Sequence, residues 1–415
     1  MTPRRVYLQV KGYGVSHRTL YAVSFMIFFW AIFDGMISYS APLAITEAGF
    51  SGTMMGIILA SSSVAGAVFD FFLSGVMHRR TTFRRVYLLM FGLAIAMPFL
   101  LIGAKNIFIF LAAMAIWGFY YDLVNFGDFD FIYKESKKDE YVSNFGILDI
   151  FKVLGYVIAP VLAGFLIGEL INPAIIVYMF AFLFTAFSFY LLVLWMTRKR
   201  AYVKEDIHPH RKHSMRFLAE VKIWRKVGKS ILPILGFMML INIFDSFFWV
   251  VGPIFSEELQ LIHPLGEFLI PAYLAPALIV GWFGGQISNK FGKSKTASTA
   301  FFLGSSLLAI VSFVASPVII ILVVFCASFL SSLAWPTVKG MFVDFINQKE
   351  NYEGEIEGLA DFATNLGYIV GPVTAGVLSD VFGSARSFAV LGAIGAVSSL
   401  LLFKLGKSQW GFDKS

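Results

Sequence analysis

Charge is scarce in this sequence: only 14% of its 415 residues are Asp, Glu, Lys or Arg, against 58% hydrophobic ones. Soluble domains carry about a quarter charged residues and roughly half apolar ones. The surplus apolar surface must face something other than water, and lipid is the medium that fits. Cysteine is nearly absent as well. The single Cys326 lies inside an apolar run, so no disulfide framework exists and the redox compartment stays unread. Catalytic signatures are missing too: there is no His-Glu-x-x-His zinc motif and no Gly-x-Ser-x-Gly elbow. Gly292-Lys293-Ser294 matches the end of a phosphate-binding loop, but Ile287 stands where its first glycine belongs. These absences argue against an enzyme, a cofactor and an ATP-driven machine. A net charge of +7 would suit nucleic acid, yet the basic residues sit in short connectors between apolar runs, which removes that partner.

What is present is a succession of long apolar segments. About 20 such residues cross a hydrocarbon core about 30 Å thick, and they must be helical because lipid offers backbone groups no partner. Spans are predicted at Leu20–Leu43, Thr53–Met77, Val86–Gly103, Ile107–Ile132, Val142–Gly168 and Ala174–Met196. Six more are predicted at Ile231–Phe255, Phe268–Ser288, Thr299–Ala315, Val318–Phe345, Gly358–Ser379 and Ser387–Leu405. The first run is too long, and lacks a small-residue cleavage site, for a cleaved signal peptide.

Lysine and arginine mark cytoplasmic loops. With the N-terminus inside, all but Lys105, Lys152, Lys339 and Arg386 of the 33 fall on the cytoplasmic side. Both termini are therefore expected in the cytoplasm, with the chain in a cell (plasma or inner) membrane. The one long connector, Arg198–Lys229, divides residues 1–196 from 231–415. In its second part Phe217, Val221 and Trp224 share a helical face, so the 197–230 linker is expected to hold an amphipathic helix at the membrane surface. Its His208, His210 and His213 read as a solvated linker, since no carboxylate or cysteine completes a metal site.

The two parts repeat. Ile32-Phe33-Asp34 with Pro42 recurs 211 residues on as Ile243-Phe244-Asp245 with Pro253. Gly146, Asp149, Gly155-Tyr156, Pro160 and Gly164 recur 212 residues on as Gly358, Asp361, Gly367-Tyr368, Pro372 and Gly376. Gly285-x-x-x-Asn289-Lys290-Phe291-Gly292-Lys293-x-Lys295 resembles the loop signature of the major facilitator superfamily, with Asn289 in place of the usual aspartate. The first-half copy around Arg79 is degenerate, carrying His78 and Thr81. Gly146 through Gly155, Ala159-Pro160 and Ala163-Gly164 resembles the fifth-helix motif of the antiporters in that superfamily. The resemblance implies an all-α membrane protein of twelve helices in two pseudo-symmetric six-helix bundles that rock about a central cavity. It implies secondary transport of a small solute, and it implies that the loop signature latches the cytoplasmic gate.

Embedded charges are costly, about 2.5–3.5 kcal/mol or more each at the bilayer centre, and so mark function. Asp34, Asp70, Asp122, Asp149, Lys152, Asp245, Lys339 and Asp361 all fall inside spans. Asp34 and Asp245 are related by the repeat. A carboxylate in an apolar cavity tends to its neutral form, which suits a proton carrier; a fixed hydrogen-bonding role is the other reading. Asp122 with Lys152, and Lys339 with Asp361, lie at matching depths and are expected to pair, as self-neutralising pairs or as pairs that open for solute. Arg79, Lys290, Asp130 and Asp344 fall at the cytoplasmic ends and read as a gate of ion pairs, or as plain interfacial charges worth about 0–1 kcal/mol. Trp30, Trp117, Tyr121, Trp249 and Trp335 lie near the charges and are expected to line a cavity for an amphipathic or aromatic solute.

The leading expectation is proton-coupled export by alternating access. The fourth span lacks the arginine usual in proton-driven drug exporters of the family, however, and uptake of a nutrient or organic anion by symport or facilitated diffusion stands beside it. A non-transporting membrane enzyme or sensor is the third reading. Partners are a small-molecule substrate, protons and membrane lipids, and the protein is expected to be a monomer.

Overall fold

The computed structural model describes residues 18–77, 82–102, 104–136, 140–167, 174–198, 217–348 and 353–410. Arg79 and the histidines of the linker lie outside them. The described residues are helical throughout. Helices α1 (Arg18–Glu47), α2 (Gly52–Met77), α3 (Phe83–Ala94), α4 (Met97–Ile102), α5 (Ile107–Glu135), α6 (Tyr141–Leu166) and α7 (Ile175–Thr197) come first. Then follow α8 (Phe217–Gln260), a 3-10 turn (Pro264–Phe268), α9 (Leu269–Phe291), α10 (Lys293–Ala309), α11 (Pro317–Ser332), α12 (Ala334–Gln348), α13 (Glu353–Phe382) and α14 (Ser384–Trp410). Among the described residues eleven segments are long and apolar enough to cross a membrane, so the chain is an all-α multi-pass membrane protein.

Three departures from the expected spans have local causes. Helix α13 is 30 residues long but falls short in apolar character, because Asn365, Pro372, Gly367, Gly371 and Gly376 dilute its uncharged stretch. The expected third and tenth spans are each broken. Pro98 cannot donate to the carbonyl of Ala94, which ends α3, and Pro336 cannot donate to that of Ser332, which ends α11. The helix expected at the membrane surface is no separate element: from Phe217 the chain runs as one 44-residue helix into the seventh span.

The repeat reappears in the packing. Helix α1 lies on α6 in the first half, and α8 lies on α13 in the second. Across the halves α2 meets α13 and α6 meets α9. The apolar windows of α1 and α8 are 78% and 61% buried, against 50% or less for the others, so these two helices are the central ones. Close contact needs glycine. A Cβ on Gly155 would stand 2.6 Å from the carbonyl oxygen of Phe28, and one on Gly367 2.8 Å from that of Met239. Those two pairs of positions are again 211 and 212 residues apart.

The helix ends at which α1 starts are called here the terminal end, and the opposite ones the far end. At the far end the halves touch backbone to backbone: a Cβ on Gly56 would overlap the carbonyl of Pro372, and one on Gly376 that of Gly52. Asp380 of α13 accepts from Gly52 N at 2.6 Å and from Thr53 N and Oγ1 at 2.7 Å, closing the N-terminus of α2.

Candidate solute and coupling site

Two carboxylates on the central helices anchor the site. Asp34, 1% exposed, accepts from Trp117 Nε1 at 2.9 Å, Tyr120 Oη at 2.6 Å and Tyr156 Oη at 2.7 Å. Asp245, only partly buried, accepts from Tyr273 Oη at 2.9 Å and Tyr368 Oη at 2.7 Å. Tyr156 and Tyr368 follow Gly155 and Gly367, so the close helix contact is what brings each phenol to its aspartate. Tyr273 is fixed in turn by face-to-face stacking on Phe248, with centroids 3.8 Å apart.

The embedded lysines sit on aromatic faces. Lys152 Nζ lies 5.6 Å from the Trp30 ring and 5.1 Å from that of Tyr121, and donates to Asn125 Oδ1 at 2.9 Å. Lys339 Nζ lies 4.8 Å from the Trp335 ring, one turn past the break at Leu333. Cations over such faces are held by the ring quadrupole. The expected pairs do not form as drawn. Lys152 bonds to Asn125 instead of Asp122, whose Oδ2 turns toward α2 and would meet a Cβ on Gly66 at 2.5 Å. Lys339 interacts electrostatically with Asp149 of the first half. Asp149, Asp361 and Lys339 are all exposed, and Lys152 partly so. Residue count along a helix speaks to depth alone; which faces the charges occupy was beyond a single sequence.

Of the aromatics, Trp117 is a donor to Asp34, and Trp30 is fully buried between Tyr120, Tyr121 and Tyr156. Trp249 packs edge-on against Tyr156 at 5.9 Å, joining the halves. Tyr121 and Trp335 carry the lysines. An apolar crevice of about 450 Å³ among α2, α5 and α13, lined by Ile57, Val64, Leu111 and Val373 among others, is separate and holds no charge.

At the terminal end, Asp130 accepts from Phe83 N at 2.6 Å, capping α3, and pairs with Lys134 at 2.6 Å. Asp344 pairs with Lys293 at 2.6 Å, tying α12 to α10. Lys290, the cation expected in that gate, is instead exposed over Phe291 at 5.5 Å. Lys293 opens α10 and reaches back to α12, whereas Lys290 ends α9. Sequence reasoning passed over Tyr156 and Tyr368, although both fall at the repeat shift, and over Asp128, which accepts from Tyr87 at 2.7 Å. It gave no signal for Glu267 or Asp380.

By sequence, no curated protein matches the chain. The family model "Major Facilitator Superfamily" matches residues 23–351 and 234–410. Among solved structures the chain is similar to a mutant of the nucleoside transporter NupG, at 14% identity and TM-score 0.72, covering 95% of this chain and 100% of that one. It is similar to a bacterial homologue of the human lysosomal transporter Spinster, inward-facing and unoccupied, at 13% identity and TM-score 0.71, covering 96% and 98%. It is also similar to a POT family transporter in complex with a thioalcohol-conjugated peptide, at 13% identity and TM-score 0.69, covering 95% and 97%. The chain thus belongs to the major facilitator superfamily, and it is a secondary transporter that carries a small solute across a membrane by alternating access, not an enzyme.

Proposed function

We propose that the chain takes up a small organic anion together with a proton. The observation that carries this reading is the pair of cations, Lys152 from the first half and Lys339 from the second, each seated on an aromatic face. A carboxylate between them replaces Asp149 as the partner of Lys339, and the rings of Tyr121 and Trp335 take the apolar body of the solute. The architecture proposed is two six-helix bundles, residues 1–196 and 231–415, joined by the 197–230 linker, with 358–379 as the twelfth span. The terminal end is the cytoplasmic one, by its lysines and arginines. The far-end contacts then close the outer mouth, and the cavity faces inward.

Symport follows from charge. An anion entering a negative interior is opposed by about 2.3 kcal/mol per charge per 100 mV. One co-transported proton removes that cost, and Asp245 is positioned to carry it: partly exposed, it faces two phenols that can each turn to accept. Two of the fold relatives are a nucleoside transporter and a transporter in complex with a thioalcohol-conjugated peptide, and solutes of that kind favour uptake over drug export. Export remains the rival reading, on the Gly146–Gly164 motif.

The test is a panel of aromatic and aliphatic carboxylates in proteoliposomes of defined orientation, with a proton gradient imposed in either direction. Inward proton flow is expected to drive uptake, and Lys152→Met or Lys339→Met to lower it at least about tenfold, as loss of a charge-assisted contact would. Efflux alone, or uptake indifferent to both lysines, refutes the reading.

A further inference from the structure

The far-end seal holds a buried acid that the central site does not use. Glu267, on the 3-10 turn after α8, is 3% exposed. Its Oε1 accepts from Gln260 Nε2 at 2.6 Å, and its Oε2 has no partner among the described residues. Tyr39 of α1 is fully buried, and its hydroxyl has Ser256 of α8 as its hydrogen-bonding neighbour, the Ser256 hydroxyl itself donating to the Gly266 carbonyl at 2.9 Å. Glu267 and Tyr39 reach the same small space over Gly164 of α6, where a Cβ would stand 3.3 Å from Glu267 Cγ and 3.6 Å from Tyr39 Oη. A buried acid from the second half, with one bare oxygen, thus shares a space with a buried phenol from the first.

We propose that Glu267 is a proton-binding site in the far-end seal, and that its protonation closes that end. An ionised carboxylate buried with a bare oxygen costs far more than a neutral one that is hydrogen-bonded. The Tyr39 hydroxyl makes no bond to Oε2 in the sealed state, so the bare oxygen is relieved there by a proton of its own. Opening the far end draws Glu267 off Gly164 and Tyr39 into water, where it ionises. Low pH then favours the sealed state and high pH the open one.

The surrounding groups reinforce that sign. The charges acting on Tyr39 are carboxylates, Glu257 at the end of α8 and Glu267 itself, and Glu47 at the end of α1 acts on Glu257. On the turn, His263 accepts from Leu265 N through Nδ1. From α9 the nearest phenol, Tyr273, is committed to Asp245; from α11 the one titratable residue is the exposed Cys326; from α6, Tyr156 is committed to Asp34. Nearby acids raise the cost of a second negative charge, so a proton, not a further anion, completes the site. Among the described residues no group of three His, Cys, Asp or Glu side chains is placed to hold a metal ion.

The site rests on the alternating-access reading but not on any particular solute, so a distance measurement tests it alone. In a Cys326→Ser background, spin labels at Lys105→Cys and Phe313→Cys, both exposed at the far end and in different halves, report the gap by pulsed electron resonance from pH 5 to 8. The open-to-closed ratio is expected to rise with pH by up to about tenfold per unit, the slope of one proton. Glu267→Gln, neutral like the protonated acid, is expected to stay closed throughout. Gln260→Leu, which removes the donor to Oε1 that favours the ionised form, is expected to move the midpoint to higher pH. A Glu267→Gln protein that opens with the original midpoint overturns the proposal. If that variant does not fold, an unmoved midpoint in Gln260→Leu overturns it. Loss of the uptake reading would show only in the vesicle assay and leaves these distances unchanged.

Discussion

Asp34 and Asp245 hold equivalent places in the two halves, yet they are built differently. Asp34 is enclosed and takes three donors, one of them the indole of Trp117, which can only donate. Asp245 is partly open and takes two phenols, each able to reverse its hydrogen bond. At Asp34 one oxygen takes both Trp117 and Tyr120, so an enclosed carboxylate is held by more donors than it has oxygens; at Asp245 each oxygen takes one phenol. The two halves thus hold one enclosed, heavily bonded joint and one more open, more lightly bonded site.

The largest expected effect tests that division. Asp34→Asn leaves donors facing an amide that cannot accept from all three, at a cost of about 2–4 kcal/mol, against about 1–2 kcal/mol for Asp245→Asn. Thermal unfolding in detergent should rank them in that order. Transport should rank them oppositely in kind: Asp245→Asn should lose the response to a proton gradient while keeping solute exchange. Equal melting points, or a full proton response in Asp245→Asn, would make the two sites functionally alike.

A second difference concerns where each half places its smallest residue. Gly35 of α1 faces Ala159 of α6, with a Cβ there only 2.5 Å from that of Ala159. At the equivalent crossing Ser246 of α8 faces Gly371 of α13, and a Cβ on Gly371 would overlap the Ser246 hydroxyl. The small residue has changed sides between the halves. Gly371→Ala should therefore cost about 1–3 kcal/mol by overpacking. Adding Ser246→Gly recreates the first-half arrangement and should restore most of it. A melting-point cycle reads the coupling; additive losses would show that the two crossings are not equivalent.

The sequence carried the fold because its signals are long and cumulative. Twenty apolar residues announce a span, basic loops orient it, and repeat blocks at shifts of 211 and 212 residues identify the copies. The site was legible only in part. Asp34 and Asp245 stood out because charge within an apolar run is rare. Their partners did not, because Tyr120, Tyr156, Tyr273 and Tyr368 are ordinary among so many aromatics until the backbone turns them inward. Partners of the lysines were misread for the same reason: depth along a helix follows from residue count, whereas facing depends on neighbours far away in sequence. Lys290 and Lys293 illustrate the limit, being three positions apart and yet on different helices, with only the latter reaching Asp344.

The smallest expected effect sets the two acids of the far-end seal against each other. Asp380 is exposed at the end of α13, outside the proposed twelfth span. Burial is the largest single influence and works against its charge, but the bonds from Thr53, Gly52 and Ser51 together outweigh it and hold its carboxyl below the usual carboxylate range. A depressed value means the contact stabilises the seal above the ordinary aspartate value of about 3.9 and is lost as pH falls through the lower one. Its sign is opposite to that of Glu267, and its window is more acidic. Between pH 5 and 8 Asp380→Asn should therefore raise the open-to-closed ratio slightly and by the same factor at every pH, leaving its slope with pH unchanged. Below about pH 4 the wild-type contact should itself weaken, and the variant should converge with it. A slope that changes in Asp380→Asn would mean that the seal titrates through the α2 cap, and the assignment of the two acids to separate windows would fail.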